Sequence, residues 1–190
     1  YTQLKAQGGR VETFSQTVVP AKKLIDDMES GSLQYRVNEL QWLNATNNTE
    51  RTSELSSMQN QKIRVDGAIK NYAKYVSDDK QKKALDAVDK SWKAYVEASD
   101  EIQKLVQAGN MEEALLLSKG SQRNIRNNQV KPTIQALSDY NQKLAVATAK
   151  QGQDAASRSE LVSAVGLSVV LLAGLFVALI VSRSHQVVLG

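Results

Sequence analysis

The sequence predicts an all-α protein, an antiparallel up-down four-helix bundle whose fourth helix continues into a transmembrane helix. The first observation is composition: only two of 190 residues are proline and 5% are aromatic, while Ala, Leu, Lys, Gln, Glu and Ser predominate, as is typical of long helices. The second is that apolar residues recur at alternating steps of three and four. The third is the uncharged, proline-free run from Leu161 to Ser182, which at about 1.5 Å per residue can cross a bilayer.

Four segments carry the helical pattern. Helices 1 and 4 are predicted to exceed about 40 residues, and helices 2 and 3 to have about 27 to 29. Because short turns make neighbouring helices antiparallel, helices 1 and 4 should extend together toward the membrane, with the 1–2 and 3–4 turns at the far end. The predicted segments are residues 10–46, 50–77, 79–108 and 111–160 for the four helices, 161–182 for the transmembrane helix, and 183–190 for the start of a cytoplasmic segment or appended residues.

Helix 1 shows two apolar rows. Its first row runs through Pro20, which is expected to kink the helix rather than end it. A second row appears in its latter half and indicates a partner outside its own bundle. The first row is Phe14, Val18, Ala21, Ile25, Met28, Tyr35 and Trp42, and the second is Leu33, Val37 and Leu40.

The other three helices each show a row that should face the core. In helix 4 the row changes phase near Pro132, and a second row holds Leu116, Val130 and Ile134. The rows are Leu55, Met58, Lys62, Val65, Ile69, Tyr72 and Val76 in helix 2, Leu85, Val88, Trp92, Tyr95, Ser99, Ile102 and Val106 in helix 3, and Ala114, Ser118, Ser121, Ile125, Leu137 and Leu144 in helix 4.

The turns carry helix-capping signals. Asn47 with Glu50, and Asn110 with Glu113, have the spacing of capping boxes that would start helices 2 and 4. Gly109 is expected to end helix 3.

The composition argues against several classes of function. The net charge is +4, but acidic and basic residues are interspersed, so no nucleic-acid-binding surface is predicted. There is no cysteine, and the one histidine is His185, beyond the transmembrane run. Without a nucleophile–base set, a metal cluster or a glycine-rich phosphate loop, we expect neither an enzyme nor a bound cofactor.

Two further stretches are informative: one is Arg36 to Leu43, and the other runs from Tyr95 through Ala108-Gly109-Asn110 to Leu115. They resemble the four-helix-bundle sensor domain of bacterial methyl-accepting chemotaxis receptors, and the first is similar to the family's Arg-x-x-Glu-Leu stretch. The resemblance covers about residues 11–182 and implies a homodimer through helices 1 and 4, with residues 1–160 periplasmic or extracellular and the span in the bacterial inner membrane. The family usually continues into a HAMP linker, with a proline soon after the transmembrane helix. Residues 184–190 contain no proline.

Several polar residues are predicted at one height, about 14–22 Å from the far end of the bundle. Guanidinium groups match carboxylates with two parallel donors, so the predicted ligand is a small organic acid or an amino acid. Other interpretations remain open: Arg36 pairing with Glu39, Lys62 fixing the helix register, and Tyr95 serving as core. The candidate binding residues are Arg36, Lys62, Tyr95, Ser99, Arg123 and Arg126.

The leading hypothesis is a ligand-sensing domain of a transmembrane chemoreceptor that signals when helix 4 shifts through the membrane to a cytoplasmic module outside this chain. One alternative is the same bundle on a membrane histidine kinase or cyclase. Another is a bundle that recognises a partner protein through Leu33, Val37 and Leu40.

Overall fold

The computed structural model describes residues 14–151 of the chain. Within that range it is helical apart from three short turns at residues 45–47, 76–78 and 108–110, and it has no strand. Four long helices follow one another: α1 is Val19–Asn44, α2 is Asn48–Tyr72, α3 is Asp79–Gln107, and α4 runs from residue 111 to residue 151. None of the described helices is both long and apolar enough to cross a membrane. The predicted transmembrane helix, residues 161–182, lies outside the described residues.

Side-chain contacts between helices establish the bundle topology. Gln81 near the start of α3 donates to Tyr72 at the end of α2, whereas Trp92, later in α3, donates to Asp66, earlier in α2, so α2 and α3 are antiparallel. By the same reasoning α1 and α4 are antiparallel, since Arg36 meets Ser118 while Val18 meets Asn141. The predicted all-α four-helix-bundle fold class is confirmed.

The core is one continuous cluster contributed by all four helices. Its centre is aromatic: Trp92 and Tyr95 in α3 and Tyr35 in α1 are each at most 2% exposed. The other large, fully buried apolar side chains come from the rows expected in the four helices, and they are Ile25, Met28, Met58, Val65, Tyr72, Ile102 and Leu137.

α4 departs from a regular α-helix in two places. It contains two π-helical turns, Ser118–Gln122 and Arg126–Val130, with α-helical residues between and after them. A π-helical turn of the same kind, Phe14–Val18, precedes α1. Pro20 and Pro132 each lie two residues after such a turn. Because proline has no N–H, it removes a backbone hydrogen bond to the preceding turn, where wider spacing is then tolerated.

These π-helical turns correct the predicted core face of α4. Four-residue steps in an α-helix drift by about 40° each, whereas π-helical turns take up the extra residue. Ser121, which was predicted to face the core, is exposed, and Gln122 is buried in its place. The second row predicted in helix 4 does not lie on one face, because Leu116 is exposed whereas Val130 and Ile134 are buried.

Of the two capping boxes predicted at the far-end turns, the one at Asn47 forms and the one at Asn110 does not. Asn47 accepts a hydrogen bond from the Glu50 backbone N–H at 2.9 Å, while the Glu50 carboxylate accepts from the Thr46 backbone N–H at 3.0 Å. The capping box predicted at Asn110 is absent, since its side chain makes no cap bond. Gly109 ends α3, as predicted, with φ of 82°, which lets the Asn110 N–H reach the Leu105 carbonyl at 2.8 Å.

α1 and α2 approach closely at Gly31. A Cβ added there would lie 2.7 Å from the Val65 Cγ2 atom, and a β-branched valine has little freedom to move away. We expect Gly31→Ala to lower the free energy of unfolding by about 1–3 kcal/mol through overpacking. The measurement is denaturant unfolding of the full chain in detergent.

The matched control for Gly31→Ala is Gly67→Ala in α2, where an added Cβ would meet no atom within 4 Å. That change should stabilise the bundle by about 0.5–1 kcal/mol, because alanine loses less backbone entropy in a helix. Equal effects of the two changes would contradict the close approach of α1 and α2.

Candidate ligand-binding site

A buried carboxylate organises the polar interior of the bundle. Glu39 in α1 has no exposed surface, and its two oxygens accept hydrogen bonds from α1, α3 and α4. Oε1 accepts from Ser99 Oγ at 2.5 Å and from Gln122 Nε2 at 2.6 Å, whereas Oε2 accepts from Arg36 Nη1 at 2.7 Å. Tyr95 adds a longer contact to Oε2, at 3.4 Å. The carboxylate is thus both paired with a cation and fully hydrogen-bonded, which is what a buried charge needs.

Arg36 ties this carboxylate to α4. Its side chain is 11% exposed, and Nη1 also donates to Ser118 Oγ at 2.8 Å and to Gln122 Oε1 at 2.5 Å. Nη2 donates to the Ser118 backbone carbonyl at 3.1 Å. The guanidinium is therefore occupied by acceptors of the protein itself, and it joins α1 to the first π-helical turn of α4.

The aromatic centre of the core lies directly against this network. Tyr35 donates to Ser99 Oγ at 2.9 Å, and its ring meets Trp92 edge-to-face at a centroid distance of 5.4 Å. Burial raises the pKa of Tyr95 far above its ordinary value; the negative charge of Glu39 adds to this, and the positive charges of Arg36 and Arg126 oppose it. Burial likewise raises the pKa of Tyr35. Both phenols are therefore neutral, and each can act as a hydrogen-bond donor.

The first π-helical turn explains why α4 offers two groups to the same network. Ser118 and Gln122 are the two ends of this turn, and both are buried. The wider turn keeps both facing Arg36 and Glu39. π-Helical turns are frequent at functional sites, and here one positions the polar centre of the bundle.

A cleft between α1 and α4 lies beside this network. Its volume is about 220 Å³, and the cations Arg126 and Lys131 line it from α4. Arg126 Nε is shielded from solvent without a hydrogen-bond partner, while its Nη1 donates to Asn127 at 3.3 Å. Across the cleft, α1 contributes the carboxylate of Glu29 together with Ser32 and Leu33. We call this the Arg126 cleft.

The structure brings together some of the predicted binding residues and separates others. Arg36, Tyr95 and Ser99 meet around Glu39, and Arg126 is close enough to influence Tyr95. Arg123 is exposed. Lys62 lies on the other side of the bundle, in a groove of about 460 Å³ between α2 and α3, where it pairs with Asp66 at 2.7 Å.

Several central residues were not among the predicted ones. Glu39 appeared only as a surface partner for Arg36, because a charged residue off the apolar row is normally solvated. Gln122 was missed because the π-helical turn, not the periodicity, places it inside. Its one sequence signal was the phase change near Pro132, which indicated irregular helix in this part of α4. Lys131 and Glu29 have no local signal, since they meet only when α1 and α4 pack.

Within residues 14–151 no three His, Cys, Asp or Glu side chains are grouped as a metal site requires. The Arg126 cleft offers cationic donors instead, which suit an anionic ligand.

Comparison with known families bears on the role of this bundle. Residues 5–156 match the family model of a four-helix-bundle sensory module for signal transduction. No curated protein matches the chain. The matched module is sensory rather than catalytic, and it occurs in membrane chemoreceptors. Because the match spans most of the chain and the described helices have the required fold, this chain belongs to the family of four-helix-bundle sensory modules of chemotaxis receptors.

Proposed function

We propose that this sensory module binds a small carboxylate, either an organic acid or an amino acid, in the Arg126 cleft. The observation that carries the proposal is the Nε–H of Arg126, a shielded donor of a cationic group without a partner. A buried donor left unpaired is costly, and more so on a charged group. A carboxylate could accept from this donor and lie near the Lys131 ammonium as well.

Size and charge narrow the ligand class. A cleft of about 220 Å³ is smaller than the roughly 300–1,000 Å³ typical of drug-sized ligands, so a compact molecule is favoured. Glu29 supplies a negative charge on the α1 side, which could hold the ammonium group of an amino acid. A dicarboxylate would use the two cations and leave Glu29 unengaged.

Signalling would follow from the position of the cleft between two helices. A ligand bridging Ser32 in α1 and Arg126 in α4 would favour the packing in which those groups are closest. Arg126 begins the second π-helical turn of α4, a place where helix register can change. A small shift of α4 along its axis would pass to the predicted transmembrane helix and on to a cytoplasmic module, with the bundle outside the bacterial inner membrane.

The proposed receptor acts as a homodimer through α1 and α4. In the described part of α1, Leu33, Val37 and Leu40 are 51%, 37% and 40% exposed, a row of apolar side chains along one face. A second copy of the chain is the occupant we favour. The same row supports the alternative in which the bundle recognises a different partner protein, and a histidine kinase or cyclase could replace the chemotaxis output without changing the bundle.

The test compares two arginines of α4. Isothermal titration of the full chain in detergent with a panel of dicarboxylates and amino acids should identify a ligand. Arg126→Ala should then weaken its affinity by about 10- to 100-fold, since a charge-assisted hydrogen bond is lost. Arg123→Ala is the matched control, because Arg123 is exposed and should change affinity by less than about twofold.

Glu29→Gln separates the two ligand classes. It should weaken an amino acid about tenfold and leave a dicarboxylate unchanged or slightly tighter. The Arg126 cleft is the wrong site if Arg123→Ala and Arg126→Ala have equal effects. A panel without any binder would remove support for direct sensing of carboxylates and favour recognition of a partner protein.

A further inference from the structure

A second cleft between α1 and α4 is lined by a residue whose buried acceptor has no donor. Asn141 in α4 is 2% exposed, and its Oδ1 has no hydrogen-bond partner. Its Nδ2 donates to the Val18 backbone carbonyl at 3.4 Å. Exchanging the two amide atoms would place Oδ1 against that carbonyl, acceptor facing acceptor, so the observed orientation is the favourable one. Asn141 therefore presents an unsatisfied oxygen.

This oxygen belongs to a residue that lines a cleft of about 450 Å³. We call it the Asn141 cleft. Its other walls are largely apolar, with Val18 from the π-helical turn before α1, Val19 from α1 and Ala145 from α4, while Ser138 and Gln142 add uncharged polar groups. Val19 is 53% exposed, so apolar surface of the cleft remains open to solvent.

Charge distinguishes this cleft from the Arg126 cleft. Its one lysine, Lys22, is paired with Asp26 one turn along α1, and the remaining lining residues are neutral. An anionic ligand would therefore gain little here, because Asp26 already neutralises Lys22, the one cation that lines the cleft. A neutral molecule with an apolar body would cover the valines, and a single hydroxyl or N–H group would satisfy Asn141.

We propose that the Asn141 cleft is a binding site for small, uncharged, mainly apolar molecules that carry one hydroxyl or N–H donor, such as an aromatic alcohol. The donor bonds Asn141 Oδ1, and the apolar body packs on Val18, Val19 and Ala145. The site is separate from the carboxylate site, although Ser138 lines both clefts. Its occupant contacts the same two helices whose relative position would carry the signal.

The test uses benzyl alcohol and benzyl methyl ether, which have similar apolar bodies but differ in the hydroxyl donor. Titrations of the full chain in detergent, followed by the methyl NMR signals of Val18 and Val19, should saturate with the alcohol. The alcohol should bind about tenfold more tightly than the ether, the preference expected for one added hydrogen bond. Asn141→Leu, which keeps the volume and removes the amide, should reduce this preference to about onefold.

Two more variants locate the site. Ala145→Phe should fill the cleft and abolish saturation by both probes. Arg126→Ala should leave both affinities unchanged, so failure of the carboxylate proposal and failure of this one are distinguishable. Equal affinity of the wild-type protein for alcohol and ether would overturn the proposal. It would indicate that water, and not a ligand, hydrogen-bonds to Asn141 Oδ1. Alcohol binding that survives Ala145→Phe would also overturn it, and this holds even if Asn141→Leu fails to fold.

Discussion

Replacing Glu39 with alanine is expected to destabilise the bundle by about 3–5 kcal/mol, because it leaves a buried cation without its partner. Arg36 would keep its bonds to Ser118 and Gln122 but lose the only carboxylate it pairs with among the described residues. Ser99 and the Gln122 amide N–H would lose their acceptor as well. Three helices would thus lose a contact at one point.

Denaturant unfolding of the full chain in detergent measures this effect. Trp42 and Trp92 are the only tryptophans, and both are buried in the bundle, so their fluorescence reports unfolding of this part of the chain. The matched control is Asp86→Ala, which removes an exposed ion pair with Lys82 and should cost less than about 1 kcal/mol. Equal losses in the two variants would show that Glu39 is not buried and paired.

A double variant tests whether the cost comes from burial of charge. Arg36→Met combined with Glu39→Leu removes both charges and keeps apolar volume. It should be much more stable than Glu39→Ala alone, since replacing a buried pair by packed apolar groups is often neutral. A double variant as unstable as the single one would instead assign the loss to the hydrogen bonds that Ser99 and Gln122 donate to Glu39, which neither variant can form.

The fold was predictable because its signals are local and repeated. Four apolar rows with helical spacing determine four helices, and short turns such as that after Asn44 make neighbours antiparallel. Such rows tolerate errors at single positions: Lys62 in the row of α2 did not obscure the helix. The cap at Asn47 was equally readable, because a capping bond joins residues three apart in sequence.

The register of α4 was not predictable in the same way. Periodicity assumes about 3.6 residues per turn, and the two π-helical turns break that assumption between Ser118 and Val130. The prediction therefore omitted Gln122 from the core row and placed Val130 in a second row with Leu116. Only Pro132 hinted at the irregularity, and a proline alone does not specify a wider turn.

The polar centre depends on tertiary contacts. Arg36 and Glu39 are three residues apart, a spacing that on an isolated helix indicates a surface pair worth a few tenths of a kcal/mol. In the folded bundle Glu39 is buried, so this ion pair is not a surface pair. Ser99 and Gln122, which bury and hydrogen-bond Glu39, come from other helices. The grouping of Arg36, Tyr95 and Ser99 was nonetheless predicted, because height along the bundle follows from counting residues from the turns.

Trp92→Ala is expected to destabilise the bundle by about 3–5 kcal/mol. The side chain is 1% exposed, and its ring stacks on Tyr95 at 5.8 Å and meets Tyr35 edge-to-face at 5.4 Å. Its removal would leave a cavity against the two phenols that contact Ser99 and Glu39. The indole N–H also donates to Asp66 Oδ1 at 2.8 Å, which joins α3 to α2.

Trp92→Phe separates the ring from this hydrogen bond. It keeps most of the aromatic packing and removes the N–H, so it should cost clearly less than the alanine change, with the hydrogen bond accounting for about 1 kcal/mol. Unfolding is followed by far-ultraviolet circular dichroism, because the variants lack one of the two fluorescent indoles. If Trp92→Phe is as unstable as Trp92→Ala, the bond to Asp66 holds α2 and α3 together and the aromatic cluster does not. If only Trp92→Ala lowers the free energy of unfolding strongly, the aromatic rings provide most of the stability. They then support the Glu39 network by packing against it.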